Sequence, residues 1–416
     1  MTIDFSLSDR QRELREMIHG FAENVIRPQS LSWDRNHGIP EEFLGRFIQM
    51  ASAMGGPAAA WGVGGMGASA EGAREKEKDR EKEKRRGTMT STVVAAEELA
   101  WGDPALLLCL PGPGLGGPPV RATGTPEQKE RFLSIFQDMS SGLKWGAYAL
   151  TEPGAGSDVS GIRTSCRKDG DTWVLDGRKC FITNGARAAW NVVFATVDPA
   201  AGRAGHRAFV VEKGTPGFSI GRIEDKMGLR ASETAELVLE DCRVPAANLL
   251  GGEERYQTKE GFLTAMKTFD STRPVVAAMA IGIGRAAYDY ATKFVRENYV
   301  LDRPIPRYAA IAERLARVGR GLAAARAVTL RAAWLADREI PNAKEASMAK
   351  AMGGQAAIRA CIEAIEICGA HGSVAEEHQL LEKWFRDIKV YDIFEGTGQI
   401  QRIVISKRLM PELRAF

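Results

Sequence analysis

The sequence predicts an α+β protein of the segregated kind: helices first, then short strands, then long helices. Three observations predict it. Apolar residues recur at helical spacing as far as about residue 139. The period then switches to two between about 145 and 250, in β-branched and aromatic runs separated by Gly, Asp or Pro. From 262 onward, long Ala-, Leu- and Arg-rich stretches dominate. The implied division is an N-terminal α-helical domain over 1–144, a middle antiparallel β domain over 145–255 and a C-terminal helical bundle over 256–416.

The first helix is expected over 6–26, opened by Ser8 as a cap, with Leu7, Leu14, Ile18, Phe21 and Val25 at helical spacing and Pro28 as its interruption. A second, over 41–54, carries Phe43, Leu44, Phe47 and Ile48 on one side. Composition then changes abruptly over 55–87. Residues 55–67 are Gly/Ala-rich, and 71–86 are almost entirely alternating charge, which cannot bury apolar area. That run reads as a mobile loop or a solvated helix laced by i,i+4 pairs, with a docking element for a partner as the alternative.

Helical pattern returns over 90–101 and breaks at Pro104 and the Pro-Gly stretch that follows. Two segments spell G-x-G-x-x-G, at Gly62–Gly67 and Gly112–Gly117. The first follows a helix rather than a strand, and the second runs into Pro118-Pro119 rather than a helix, so neither reads as a dinucleotide site. A further helix is expected over 126–139 with Thr125 as its cap. Strands are expected at 145–150, 172–175, 192–197, 208–211 and 236–239, and helices at about 262–297, 305–337, 342–367, 376–391 and 397–409. No fixed-period repeat is visible.

Composition bounds the function. With 56 basic and 53 acidic residues the net charge is only +3, which gives no argument for nucleic acid or an anionic membrane. The start of the chain has no signal-peptide pattern and no window is long and apolar enough to span a bilayer, so a cytoplasmic protein is expected. The six cysteines are scattered without a C-x-x-C pair and the histidines form no H-E-x-x-H, which argues against structural zinc or a disulfide framework. No metal site is expected.

Five short stretches carry chemistry. Tyr148 to Asp158, with Leu150, Thr151, Gly156 and Ser157, offers glycines and hydroxyls that let backbone N–H groups approach an anion or extended ligand, or forms only a tight turn. Phe181-Ile182-Thr183 puts an aromatic face and a hydroxyl at a strand end, suiting a planar ring or simply the core. Asp225 to Ser232 gathers Lys226 and Arg230 in a turn that suits phosphate or solvent. Asp270-Ser-Thr-Arg273 places an arginine at the edge of a long helix, for an anion or a structural salt bridge. Finally, Phe394-Glu395-Gly396-Thr397 sets a carboxylate between a Phe and a Gly-Thr-Gly turn, where a charge is costly unless used. Glu395 is the candidate base; a surface turn is the alternative.

In this order along one chain the stretches resemble the acyl-CoA dehydrogenase family: Y-x-x-T-E-P-G-A-G-S-D, F-I-T-N-G, K-M-G-x-R-A-S, D-x-T-R-P-V-V-A-A and E-G-T-x-Q-I-Q-R. The resemblance covers nearly the whole chain from about residue 88. It implies a helical N-terminal domain, a middle β-barrel and a C-terminal four-helix bundle, with FAD held between them and across a subunit contact. It further implies that Tyr148, Leu150, Thr151, Gly156, Ser157, Phe181, Ile182, Thr183, Gly369, Gly396, Thr397 and Gln399 contact the FAD. Ser157, Asp270, Arg273 and Arg230 would meet the CoA ester, and Glu395 would be the base. The implied reaction is α,β-desaturation of an acyl-CoA to its trans-2-enoyl-CoA, with electrons passed to an electron-transferring flavoprotein. The thioester oxygen would be held by the base's own N–H and a ribityl hydroxyl.

Two motifs depart from the family pattern. Where it usually shows R-x-x-F-G with a Gln eight residues on, reaching a neighbouring subunit's FAD, this chain has Asn298 to Asp302 and Ala309. Where it shows Q-x-x-G-G at the adenine end, this chain has Glu366 to Gly369-Ala370. Losing the arginine removes a charge-assisted contact, and Asp302 and Glu366 would add repulsion, each change costing about 1–3 kcal/mol of FAD affinity. A homotetramer with rearranged contacts and a heteromer completed by a related chain are both open. So is an acyl-CoA oxidase using O2 on the same scaffold.

Overall fold

The computed structural model describes residues 5–53, 87–137, 141–257, 268–298, 306–374, 376 and 378–410. The segments 62–67 and 71–86 lie outside the described residues, as does Asp302. The order is helices, strands, helices, as the change of hydrophobic period requires.

The N-terminal part contains α1 (Asp9–Phe21), α2 (Arg27–Arg35), α3 (Glu41–Ala53) and α4 (Thr88–Gly102). Ser8 caps α1 through a capping box with Gln11. Pro28 does not interrupt the helix as expected. A π turn over Ala22–Ile26 leads straight into α2, and the proline falls in the first turn of α2, where its missing N–H is not needed. The Pro-Gly stretch also differs from expectation. Gly117–Thr123 is a short helix, α5, with its two prolines in the first turn, so Gly112–Gly117 does open a helix. It nonetheless follows no strand of a βαβ unit, and the segment packs on the sheet instead. A Cβ at Gly116 would fall 2.6 Å from the Trp190 ring. Thr125 caps α6 (Pro126–Leu133) with its own capping box.

The middle part is one curled, seven-stranded, mostly antiparallel sheet: β1 (Gly146–Ala149), β2 (Ser165–Asp169), β3 (Thr172–Thr183), β4 (Trp190–Thr196), β5 (His206–Glu212), β6 (Phe218–Ile223) and β7 (Thr234–Pro245). β1 and the first residue of β2 pair parallel with β4, so the sheet is not antiparallel throughout. β2 and β6 were absent from the expected strands: β2 is five residues with only Cys166 buried, and β6, although it carries Phe218, Ile220 and Ile223, is short and mostly exposed. Separate apolar clusters include one with Val193, Phe209 and Leu237 and one with Trp190, Phe194 and Phe132.

The C-terminal part comprises α7 (Thr268–Asn298), α8 (Pro306–Ala336), α9 (Ala343–Ile367), α10 (Gln379–Tyr391) and α11 (Gly398–Leu409). Small residues let these helices approach closely. A Cβ at Gly284 of α7 would lie 2.8 Å from Leu322 of α8 and 2.9 Å from Ala357 of α9, and one at Gly282 would run into the Glu97 carbonyl of α4. One core therefore spans α1–α4 and the C-terminal helices. Buried charges tie its parts together. Lys383 of α10 pairs with Asp387 at 2.6 Å and with Asp103, just past α4, at 2.9 Å. Asp387 in turn accepts from the Leu229 N–H of the 225–232 loop at 2.6 Å.

Candidate active site

Glu395 sits on the tight connection between α10 and α11, where Tyr391 to Gly398 must turn within a few residues. Its φ of +54° is a left-handed conformation that a residue with a Cβ adopts at a cost of about 1–3 kcal/mol, and such strain concentrates at functional sites. Gly396, at φ +92°, continues the turn. Thr397 ends it by capping α11 through the Ile400 N–H. Beneath the turn, Gln401 donates to the Gly396 carbonyl at 3.0 Å.

The Glu395 residue is half-buried, but its carboxylate oxygen Oε2 is buried and has no hydrogen-bond partner among the described residues. Burial pushes the carboxyl above the usual carboxylate range. A hydrogen bond to the Thr272 hydroxyl and the charges of Arg273 and Lys350 pull the other way without overcoming it. Thr272 and Arg273 come from the first turns of α7 and Lys350 from α9. Tyr148 reaches in from β1. Burial drives its phenol far above its ordinary range, and the Glu395 charge adds to that.

The other expected site residues fall into groups. The loop after β1 carries Leu150, Thr151, Gly156 and Ser157, the last two exposed. Its shape is set from below by Glu152, buried under the loop, whose carboxylate accepts from Arg163 N at 2.7 Å, Thr164 N at 3.0 Å and Lys179 Nζ at 2.6 Å. Lys179 is wholly buried, also donates to the Leu150 carbonyl at 3.2 Å, and is brought down to about 8 by burial. At the end of β3 Phe181 is 61% exposed in a left-handed conformation, between buried Cys180 and buried Ile182, with Thr183 next. Gln399 is exposed on the first turn of α11.

Arg230 is half-buried on the loop after β6, between buried Leu229 and Ala231, its Nε donating to the Lys226 carbonyl at 3.1 Å. Among the described residues it makes no contact with Glu395. Asp270 is in the first turn of α7, and its side chain lies outside the described residues. Gly369 ends α9 at φ +64° and is exposed. Asn298 is exposed and donates to the Phe294 carbonyl at 2.9 Å, and Ala309 is exposed on α8. Glu366, expected to repel a pyrophosphate, is paired with Arg314, which also holds Glu363 at 2.5 Å; part of that repulsion is thereby removed.

Sequence reasoning missed Thr272 as a partner of Glu395, although it adjoins Arg273, and missed Lys179, Lys350 and Glu152. A lysine in a β-strand or an Ala-rich helix reads as a surface residue, because burial is invisible until the partner element is placed. The arrangement suits FAD. An exposed aromatic wall at Phe181, the glycine-bearing loop at Thr151–Ser157 and the capped turn at Gly396–Gln399 offer a ring face, backbone donors and hydroxyls to a planar, phosphorylated cofactor.

Comparison with known proteins is consistent along the whole chain. Family profiles described as acyl-CoA dehydrogenase N-terminal, middle and C-terminal domains match residues 8–139, 147–242 and 259–410. An acryloyl-CoA reductase (NADH) of Anaerotignum propionicum is 38% identical over 411 residues, 98% of this chain and 96% of the relative. The structure of butyryl-CoA dehydrogenase from Megasphaera elsdenii superposes with a TM-score of 0.82 at 34% identity, covering 98% of this chain and all of that one. A structure described under the electron transferring flavoprotein of Acidaminococcus fermentans and flavin-based electron bifurcation gives 0.81 at 34% identity over 98% and 100%. The chain belongs to the acyl-CoA dehydrogenase family and is an FAD-dependent oxidoreductase.

Proposed function

We propose that this chain desaturates a short acyl-CoA between Cα and Cβ, with Glu395 removing the α-proton. The observation that carries the reading is the Glu395 carboxylate itself, with a buried, unpartnered oxygen on a strained turn and a carboxyl pushed up by burial. The α-proton of a thioester is weakly acidic, so a solvated carboxylate is too weak a base, and desolvation narrows the gap. Thr272 fixes one oxygen and leaves Oε2 free to take the proton. The backbone N–H of the same turn donates to the thioester oxygen as enolate charge develops. Bound FAD supplies the two-electron acceptor for the β-hydride. Tyr148, Thr151, Ser157, Phe181, Thr183 and Gln399 would hold it.

Relatives named for acryloyl- and butyryl-CoA support a three- or four-carbon acyl group. The neighbour described with an electron-transferring flavoprotein supports such a protein as electron acceptor. Oxygen uptake during turnover would instead favour an oxidase. Flavin counted per chain in the purified protein separates a homotetramer from a heteromer completed by another chain. The assignment of the base is tested with Glu395→Gln: the variant keeps bound FAD and loses turnover on a panel of acyl-CoAs. Unimpaired turnover would sink it.

A further inference from the structure

The turn that carries Glu395 rests on α9, and the residue it rests on is a buried lysine. Lys350 is 1% exposed, and its Nζ donates to the Asp392 carbonyl at 3.0 Å. That same carbonyl accepts from Gly398 N at 2.9 Å, so one acceptor closes the loop from 392 to 398 and Lys350 anchors it from below. The next residues along α9 continue the contact. Gln355 donates to Asp392 Oδ2 at 3.1 Å, and a Cβ at Gly354 would lie 3.2 Å from Oδ1.

A buried ammonium is expensive unless it is used, and burial brings this one down to about 8 against the opposing pull of Asp392 and Glu395. It is therefore charged throughout the range in which a carboxyl titrates. We propose that Lys350 is a positioning residue for proton abstraction: it clamps the Asp392 carbonyl and with it the turn bearing Glu395, and it keeps a positive charge beside the carboxylate. The inference rests on Glu395 being the base.

The groups facing that carboxylate can be named element by element. Thr272 and Arg273 come from α7, Lys350 from α9, and the phenols of Tyr148 from β1 and Tyr391 from α10 are held neutral by burial. Among the described residues, Asp392 brings the other carboxylate that acts on Lys350. Its charge is shared with Gln355 and, at 3.8 Å, with half-exposed Lys389. Two cations thus oppose the desolvation of Glu395, and of these Lys350 is the one with almost no access to water. Without it, the base is protonated over a wider range and is inactive there.

The test compares FAD-loaded wild type with Lys350→Met, Lys350→Gln, Lys350→Arg and Glu395→Gln, reading kcat/KM across the acid limb of the pH profile. Lys350→Gln keeps a donor for the Asp392 carbonyl but no charge, whereas Lys350→Arg keeps both. The expected result is an acid limb displaced to higher pH by about one unit in both neutral variants, a roughly tenfold loss at fixed pH on that limb. Lys350→Arg should restore the limb. An infrared titration of the Glu395 carboxyl should move in the same direction without reference to turnover. An unmoved limb in both folded neutral variants, with Glu395→Gln inactive, overturns the role of Lys350 and leaves the base assigned. Full turnover by Glu395→Gln overturns both. Unfolding of both neutral variants would assign Lys350 to the fold alone and likewise overturn the proposal.

Discussion

Replacing Lys179 by Met tests what shapes the loop after β1. The lysine is wholly buried and gives Glu152 an ammonium partner at 2.6 Å, the one such partner among the described residues. The substitution leaves the Glu152 carboxylate buried with two backbone donors, Arg163 N and Thr164 N, and no counter-charge. Breaking one side of a buried pair costs about 3–5 kcal/mol. The pH dependence changes sign as well. In the wild type, burial pushes Glu152 up, but Lys179 and the hydrogen bonds more than reverse it, leaving the carboxyl below its usual range. Its contribution is therefore present above the ordinary carboxylate value and is lost as pH falls. Without Lys179 the burial effect prevails, and the variant gains relative stability as pH falls and Glu152 takes a proton. The assay is urea unfolding of the holoprotein at two pH values with flavin content measured in parallel. Lys179→Met should be destabilised and flavin-poor, while Lys179→Met with Glu152→Gln recovers most of the stability. A single variant within about 1 kcal/mol of wild type with full flavin would refute the reasoning.

Other expectations follow from the same structure. His206, buried at the start of β5, is brought down to about 4 by burial and by the Lys179 charge. Because its folded value is depressed, its contribution is complete above the unfolded value near 6.5 and is lost as pH falls towards 4. The loss is up to about 3 kcal/mol, a slope that unfolding titrations of His206→Gln should show flattened. Lys383→Met strands Asp103 and Asp387 and should cost about 3–5 kcal/mol in chemical denaturation; a loss below about 1 kcal/mol would mean the cluster is not paired as described. Gly282→Ala places a methyl against the Glu97 carbonyl and should lower stability by about 1–3 kcal/mol, read from a thermal scan, with an unchanged midpoint contradicting the close approach of α7 and α4.

What the sequence revealed and what it hid follow from the range of the forces involved. Caps and periods are local, so Ser8, Thr125 and the five long C-terminal helices were placed close to their true positions. Pro28 and Pro118-Pro119 were read as breaks because proline usually breaks helices, but here they fall in first turns. The largely exposed strands β2 and β6 pair with β3 and β7 and bury little of their own surface, and the parallel pairing of β1 with β4 is a tertiary choice with no local signal. At the site, Glu395 was visible through the motifs around it. The groups that act on its carboxyl, Thr272 and Lys350, come from α7 and α9, and only packing brings them to it.

The most direct measurement is the rate of flavin bleaching in a single anaerobic turnover, when a short acyl-CoA is mixed with FAD-loaded Glu395→Gln. The account predicts a rate lower than wild type by about 10²–10⁴-fold at undiminished flavin content. Bleaching at the wild-type rate would show that another group removes the proton.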